Sequence, residues 1–178
     1  MALEGDIPGI AAISLRSIDD GYPRPIVTSP YENWGEMAAD AEHMVIQRWL
    51  IEFTIHAESV IEVGDLSAHT VWYGPTIGSK AMNIGISILP EYRGRGIGSL
   101  AQRLLAEELH EQGYLRVEAA TDIANIPEQR ALANAGFGFE GVALRAQARL
   151  DGVHDLQVWS HVAEEKSLGT TKPVVHSR

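Results

Sequence analysis

The residues best suited to chemistry lie in a glycine-rich stretch near the middle of the chain. Leu89–Ser99 reads LPEYRGRGIGS, with three glycines directly before a helical pattern. Glycines allow a tight turn and leave backbone N–H groups open to a ligand, and the N-terminus of the next helix carries about half a positive charge. Arg93 and Arg95 add positive charge. Such a turn is typical of a pyrophosphate-binding site.

Two well-known phosphate-binding patterns do not match this turn. A dinucleotide fingerprint requires Gly-x-Gly-x-x-Gly, whereas Gly94–Gly98 reads GRGIG, so the last spacing is wrong. The Walker P-loop requires Gly-Lys-Ser/Thr, and the turn contains no lysine. The glycines alone also allow a structural interpretation, in which they only connect a strand to a helix.

The first half of the chain is dominated by strand-like alternation of apolar residues. Residues 19–36 are rich in Pro, Gly, Ser and Tyr and indicate a loop or a broken helix, and residues 36–44 are compatible with a short helix. Residues 73–79 predict a turn. The predicted strands are 10–18, 45–54, 59–72 and 81–89.

The second half alternates helices with strands before it ends in a hairpin. Apolar residues recur at helical spacing from Ile97, and Gly113 is placed to end that helix. A shorter helix begins near Pro127 and stops at Gly136. Asp151-Gly152 is a strong hairpin signal. The predicted strands are 114–121, 138–150 and 153–162, which together with the helices imply a mixed α/β sheet.

Composition limits the function classes. Of the 178 residues, 45% are hydrophobic and 21% charged, as in soluble globular proteins. No apolar run approaches the roughly 20 residues of a membrane-spanning helix, and the N-terminus lacks a signal pattern. The absence of cysteine excludes disulfides and thiolate chemistry, so we expect a cytoplasmic protein without membrane partners.

The net charge of -10 argues against nucleic-acid binding, which depends on basic side chains. A negative field would attract a cationic acceptor, although the charge also has a simpler interpretation as a contribution to solubility.

The turn and a later block resemble the GNAT acetyltransferases. RGRGIG at 93–98 matches the family signature Arg/Gln-x-x-Gly-x-Gly/Ala, and TDIANIPEQRAL at 121–132, followed by AGFGFEG at 135–141, resembles the second family block. The sequence NIGI at 83–86 is similar to the strand before the turn in the RimJ/RimL-like branch. This resemblance implies a mixed, mostly antiparallel central sheet that is splayed in a V and flanked by helices. It also implies one acetyltransferase domain over residues 1–162, with a polar tail at 163–178.

The resemblance further implies acetyl-CoA as co-substrate and gives each contact a position. Backbone groups of Ile88 and Leu89 are expected to pair with the pantetheine arm like an added strand. Asn125 is expected to bind pantetheine, and Arg130 to reach the phosphates. The residues expected to hold the pyrophosphate are Arg93, Gly94, Arg95, Gly96, Ile97 and Gly98, with Ser99 behind them.

The usual catalytic residues of the family are not carried over. A lysine-like amine is only about 0.04% neutral at pH 7, so a general base is useful. Many relatives have a Glu where this chain has Asn83, and a Tyr where it has Leu132; Glu128 stands where the RimL-like branch often has Ser. Positioning and oxyanion-type stabilisation remain available.

Substitute bases can be proposed from the sequence. Glu62 and Asp65 lie on or near the third strand, and His154, followed by Asp155, lies just after the hairpin turn. For each of them, an ordinary surface position is the competing interpretation. The lone histidines His56 and His69 are expected to be packing or surface residues, and no metal-ligand spacing is present. The aromatic residues of the predicted loop, which either shape the acceptor pocket or fill space, are Tyr22, Tyr31 and Trp34.

Three functions remain open from the sequence. The leading one is N-acetylation of a primary amine on a small cationic metabolite or antibiotic. The second is acetylation of a protein N-terminus, as in the ribosomal-protein acetyltransferases. The third is a non-catalytic acyl-CoA-binding protein that has lost its acid and base. The sequence leaves homodimer formation and the identity of the acceptor open.

Overall fold

The structure is a computed structural model that describes residues 2–7, 10–18, 47–56 and 59–164. Its strands are β1 (Ala2–Ile7), β2 (Ile10–Ile18), β3 (Gln47–His56), β4 (Ser59–Trp72), β5 (Lys80–Ile88), β6 (Arg116–Asp122), β7 (Gly138–Arg149) and β8 (Gly152–Val162). Its α-helices are α1 (Ile97–Glu111) and α2 (Ile126–Asn134), and short 3-10 turns cover Ile77–Ser79 and Pro90–Tyr92.

The described strands form one sheet in the order β1-β2-β3-β4-β5-β6-β8-β7. Neighbouring strands are antiparallel except for β5 and β6, which are parallel and connected through α1. A parallel pair requires a crossover connection, and the helical pattern from Ile97 supplies it. The predicted fold class, a mixed and mostly antiparallel α/β sheet, is confirmed.

The sheet opens between its two parallel strands. Paired residues on β5 and β6 run only from Met82–Val117 to Ile84–Ala119. Beyond the Ile84–Ala119 pair, β5 stays paired with β4 as far as Ile88, and β6 stays paired with β8 as far as Asp122. The ends of β5 and β6 therefore separate into the predicted V, and we call the space between them the gap.

Both helices pack on the same face of the sheet. Side chains of β5 and β6 that project to this face, such as Met82, Ile84 and Val117, are buried in one cluster with Leu105 of α1 and Leu132 of α2. Because side chains alternate along a strand, the intervening residues project from the opposite face. No helix in the described part of the chain is long and apolar enough to cross a membrane.

One glycine is required by the close approach of β4 and β5. A Cβ on Gly64 would overlap the carbonyl oxygen of Ser87. Gly64 lies where β4 shifts its register against β3, and it pairs with Ile88 at the end of β5. This contact fixes the strand end from which the glycine-rich turn departs.

Most predicted elements are present within a few residues of their predicted bounds, and β4 matches its prediction at both ends. The sequence missed β1, which pairs with β2 along the sheet edge. The predicted loop at 19–36, with Tyr22, Tyr31 and Trp34, and the predicted helix at 36–44 lie outside the described residues. Of the predicted tail, only Ala163 and Glu164 are described; the Ala163 N–H still donates to the Leu115 carbonyl at 3.0 Å.

Candidate active site

The glycine-rich turn forms an uncapped helix N-terminus. Gly94 and Gly96 have φ angles of 70° and 81°, in the left-handed region that favours glycine. Gly96 is the N-cap of α1, where no side chain makes a capping hydrogen bond, and the first turn of α1 contains no acidic residue. The N–H groups at this end therefore remain available to an anion, with the helix dipole behind them.

The two arginines of the turn fold back onto its own backbone. Arg93 Nε donates to the Ile88 carbonyl at 2.8 Å, and Arg95 Nη2 donates to the Glu91 carbonyl at 2.9 Å. The Arg95 guanidinium also lies 5.5 Å from the centre of the Tyr92 ring. Both side chains are exposed. They keep two positive charges beside the open N–H groups.

The next three residues differ in what they present to a ligand. The Ile97 side chain is 1% exposed in the core, so only its backbone faces the turn. A Cβ on Gly98 would lie 3.8 Å from Ile86 Cδ1 and 3.9 Å from Ile88 Cγ1, which is ordinary contact. Ser99 is half-buried. The start of α1 thus lies directly against the end of β5.

The strand register distinguishes the two backbone positions expected to meet the pantetheine arm. The Leu89 N–H donates to the Val63 carbonyl at 2.9 Å, and the Leu89 carbonyl accepts from Tyr92 N–H at 2.9 Å. Since Gly64 is the Cα partner of Ile88, this pattern turns the backbone groups of Ile88 away from β4 and toward the gap. The Leu89 N–H is used within the sheet and the Ile88 carbonyl accepts from Arg93 Nε, and the pairing of both residues with the pantetheine arm stays a prediction.

The start of α2 lies beside the start of α1. Asn125 is the N-cap of α2, and its Oδ1 accepts from the Glu128 N–H at 3.4 Å. Gln102 of α1 is 1% exposed and donates from Nε2 to the Gly98 carbonyl at 3.2 Å. Burial raises the pKa of Glu128 to about 7, and a hydrogen bond from Gln102 opposes that rise. Asn125 thus has a structural role in addition to its predicted contact with pantetheine.

Arg130 lies in a groove on the outer side of α2. The groove has a volume of about 470 Å³ and is lined by Ile126, Gln129, Arg130, Ala133, Phe139, Gln157 and Trp159. Glu128 and Leu132 project from the other side of the helix, toward α1 and the core. The structure does not bring Arg130 together with the residues between the two helix N-termini.

The two carboxylates proposed as bases on β4 differ in their surroundings. Glu62 is exposed, and its Oε1 lies 3.8 Å from Arg16 Nη2. Asp65 is half-buried and is the Cα partner of Ser87. Asp65 projects from the face opposite to the helices, near the open end of the gap, whereas Glu62 belongs to an ion pair with β2.

His154 lies between two carboxylates. Its Nδ1 is 2.9 Å from Asp122 Oδ2, and its Nε2 is 3.0 Å from Asp151 Oδ1. Asp122 is also paired with Arg149 Nη1 at 2.8 Å, in an ion pair whose side chains are 3% and 2% exposed. The contact with His154 holds the pKa of Asp151 below its ordinary value. Both ring nitrogens of His154 are engaged, so neither faces an acceptor amine in this arrangement.

Comparison of the sequence with known protein families identifies the family of this chain. Residues 4–138 match the acetyltransferase (GNAT) domain family. The chain belongs to the GNAT acetyltransferase family. Membership confirms the predicted family, and it agrees with the predicted acyltransferase class and acetyl-CoA co-substrate.

Solved structures show the same fold at low sequence identity. Mycobacterium smegmatis RimJ in complex with CoA-disulfide is 20% identical, with a TM-score of 0.64 over 88% of this chain and 85% of that one. The Vibrio fischeri ribosomal-protein-S5-alanine acetyltransferase is 20% identical, with a TM-score of 0.57 over 70% of this chain and 64% of that one. The microcin C7 self-immunity acetyltransferase MccE, in complex with acetyl-CoA and AMP, is 19% identical, with a TM-score of 0.55 over 70% and 64%.

RimJ is among these neighbours, and at 19–20% identity the likeness shows the shared fold. This chain spans less than two thirds of the lengths of the Vibrio fischeri and MccE chains. No curated protein matches the sequence.

Two of the GNAT positions that differ in this chain have distinct surroundings. Leu132 is fully buried in the core, so it contributes packing. Asn83 is half-buried on the face opposite to the helices, and its Nδ2 reaches Glu118 Oε1 at 3.5 Å. Sequence reasoning missed Glu118 because only strand register brings it beside Asn83. In the described part of the chain, no group of three or more His, Asp or Glu side chains is arranged to hold a metal ion.

Proposed function

We propose that this GNAT enzyme transfers the acetyl group of acetyl-CoA to the primary amine of a small cationic metabolite or antibiotic. The observation that carries the proposal is the uncapped N-terminus of α1, which lies against the end of β5 where that strand borders the gap. Its open N–H groups and two arginines suit a pyrophosphate, and the gap gives the pantetheine arm a backbone edge at Ile88 with which to pair. The donor site is thus built from the 93–98 turn, Ser99, Ile88 and Asn125.

The acceptor is proposed to approach from the other face of the sheet. The helices and the glycine-rich turn occupy one face, while the opposite face carries polar side chains beside the gap, including Asp65, Ser67, His69, Asn83 and Ser87. The chain also has a net charge of -10, which attracts cations. A polar, negatively charged approach supports an ammonium-bearing acceptor.

A protein N-terminus is the second candidate acceptor. It is favoured by structural likeness to RimJ and to the ribosomal-protein-S5-alanine acetyltransferase. MccE, a self-immunity enzyme, has the same fold, so likeness alone does not separate the two candidates. The acceptor has to be identified by assay.

Coenzyme binding is tested first by thermal shift. Acetyl-CoA at 100 times its Kd is expected to stabilise the folded protein by about 2.7 kcal/mol. NAD and ATP serve as controls, because they carry phosphates without the pantetheine arm. Stabilisation by NAD or ATP but not by acetyl-CoA would contradict the proposed donor site.

Substitution of Gly98 tests the site itself. Gly98→Glu adds a negative charge where the pyrophosphate is proposed to bind, and we expect acetyl-CoA affinity to fall at least tenfold, about 1.4 kcal/mol. Gly98→Ala is expected to fold normally, because its Cβ meets only ordinary contacts. Gly78→Glu is the charge-matched control, since a Cβ there meets nothing within 4 Å. Equal calorimetric Kd values for Gly98→Glu and Gly78→Glu would contradict the assignment of the turn.

A panel assay identifies the acceptor. Release of free thiol from acetyl-CoA is measured with aminoglycosides, polyamines, amino-acid derivatives and peptides with free N-termini. Turnover of small cationic amines above that of the peptides is the expected result. Peptide turnover alone would favour the second candidate, and binding of acetyl-CoA without turnover of any amine would contradict both.

A further inference from the structure

A row of polar side chains crosses three strands at the closed end of the gap, which is the end where β5 and β6 are still paired. His69 on β4 is the Cα partner of Asn83 on β5, and Asn83 is the Cα partner of Glu118 on β6. The Asn83–Glu118 rung is next to Ile84–Ala119, where the pairing of β5 and β6 ends. All three side chains project from the face opposite to α1 and α2. We call His69, Asn83 and Glu118 the polar row.

Glu118 is buried in this row and held by three donors. It is 6% exposed. The Tyr73 hydroxyl donates to its Oε2 at 2.5 Å, Arg116 Nε donates to the same oxygen at 3.1 Å, and Asn83 Nδ2 reaches Oε1 at 3.5 Å. The hydrogen bond to Glu118 raises the pKa of Tyr73, so its phenol stays protonated and remains a donor at neutral pH.

The charges around Glu118 sum to a surplus of negative charge. Arg116 also binds both oxygens of Glu140, through Nη1 and Nη2 at 2.6 Å each. This contact, with a hydrogen bond from the Ser160 hydroxyl, lowers the pKa of Glu140 to about 2. One arginine is therefore shared by two carboxylates, Glu118 and Glu140. The remaining negative charge favours a cationic ligand at this face.

His69 is the member of the row that can take up a proton near neutral pH. Its side chain is half-buried, and burial lowers its pKa below the ordinary value of 6.5, against the opposing effect of the Glu118 charge. The charged or titratable groups nearest to the row on this face include Arg116 of β6, Glu140 of β7, Tyr73 after β4, and Asp65 on β4 itself; the cluster of Asp122, Arg149 and His154 lies further along β6. At neutral pH the imidazole is mainly uncharged, so it has a nitrogen that can take up a proton.

We propose that His69 is the general base of acetyl transfer and that Glu118 supplies the charge that draws a cationic amine to it. This inference rests on the proposed acetyltransferase reaction, and it moves the base along β4 from Glu62 and Asp65 to a histidine that the sequence alone predicts to be a packing or surface residue. Unlike Glu62 and His154, His69 lies beside the closed end of the gap. Unlike Asp65, it shares its rung with Asn83 and Glu118.

These groups account for every proton that moves during acetyl transfer. The ammonium group of the acceptor gives one proton to the His69 imidazole and becomes a neutral amine. The amine nitrogen attacks the thioester carbonyl carbon, a C–N bond forms, and the C–S bond breaks with its electron pair on sulfur. The second nitrogen proton passes to the thiolate to give free coenzyme A. His69 then releases its proton to water.

Substitution of His69 tests the proposal once an acceptor is known. His69→Gln is expected to lower kcat about 100-fold, at the lower end of general-base effects, with an unchanged Kd for acetyl-CoA by calorimetry. The rate of this variant is expected to keep rising with pH as the amine itself deprotonates. The wild-type rate should level off above the pKa of His69. His69→Ala should regain activity when free imidazole is added.

Further variants separate the role of the Glu118 charge from the role of His69 as the base. Glu118→Gln keeps an acceptor for Tyr73 but removes the charge, so KM for cationic amines is expected to rise while KM for a neutral amine changes little. Thr70→Val is the matched control on β4, because Thr70 pairs with Met82 and faces the helices. His69→Asn provides a second test if the glutamine variant does not melt like the wild type.

The outcomes distinguish this inference from the proposed function. Near-wild-type rates for His69→Gln and His69→Asn from pH 6 to 9, with acetyl-CoA binding intact, would overturn His69 as the base and leave the acetyltransferase assignment in place. Failure of the wild-type protein to bind acetyl-CoA would overturn the proposed function, and this inference with it. Loss of rate with imidazole rescue supports both.

Discussion

Glu128 shows at the scale of one residue how a carboxyl can oppose folding. It lies between α1 and α2, and burial is the main reason that its pKa rises from 4.5 to about 7. Between these two values the folded chain binds more protons at this site than the unfolded chain does. The free energy of unfolding therefore falls as pH rises from 4.5 to 7, and the full cost is present above pH 7.

Glu128→Gln is expected to remove that cost. At pH 8 the variant should be more stable than the wild type by about 1–3 kcal/mol, and at pH 4 the two should be nearly equal. Urea denaturation at the two pH values measures the difference. Glu111→Gln on the exposed side of α1 is the control. An equal stability gain at both pH values would contradict the assignment of the effect to proton binding.

Some residues of the site have roles that depend on the local sequence, and others have roles that depend on long-range strand pairing. The glycine-rich turn was recognisable because its function comes from consecutive backbone groups. The capping position of Asn125 is also local, since its partner is Glu128. The polar row was missed because His69 and Glu118 reach Asn83 only through strand register, which depends on long-range pairing.

At the scale of elements, an ion pair connects the end of β6 with the β7–β8 hairpin. Asp122 Oδ2 is paired with Arg149 Nη1 at 2.8 Å, and both side chains are nearly fully buried. Asp122 Oδ1 accepts from the Ala124 N–H at 2.7 Å, which fixes the segment leading to α2. The hairpin therefore holds one side of the gap in place.

Arg149→Met is expected to destabilise the protein by about 3–5 kcal/mol at pH 7, because it leaves the Asp122 charge buried without its arginine. Asp122→Asn combined with Arg149→Met should recover part of this loss, since asparagine carries no charge and can still accept from Ala124. Urea denaturation of the single and double variants measures both effects. A double variant less stable than Arg149→Met would show that the buried charge is not the cause.

Elements were predictable where a local pattern was strong. The correct element types were predicted by the helical periodicity of α1, by the glycines that end the two helices (Gly113 and Gly136), and by the Asp151-Gly152 turn. The β1 strand is short and contains Gly5 with two acidic residues, so it has weak strand propensity of its own. It is formed by pairing with β2, and such tertiary support has no local signal.

At the scale of the whole molecule, the net charge of -10 acts on both substrates in opposite directions. It attracts a cationic amine and repels the anionic coenzyme, and the arginines of the glycine-rich turn offset the repulsion only locally. Salt screens such long-range effects, with a Debye length of about 10 Å at 0.1 M. The ionic-strength dependence should therefore differ between the two substrates.

We expect kcat/KM for a cationic acceptor to fall severalfold between 20 mM and 500 mM NaCl, measured at saturating acetyl-CoA so that only the acceptor encounter is observed. An acceptor amine of low pKa, neutral at the assay pH, is the control and should show little change. The Kd of acetyl-CoA should not show the same dependence, because salt weakens both its repulsion from the acidic surface and its attraction to Arg93 and Arg95. If the cationic and neutral acceptors respond equally, the field of the molecule does not guide the acceptor. The selectivity for a cation would then have to come from Glu118 at short range, where Glu118→Gln measures it directly.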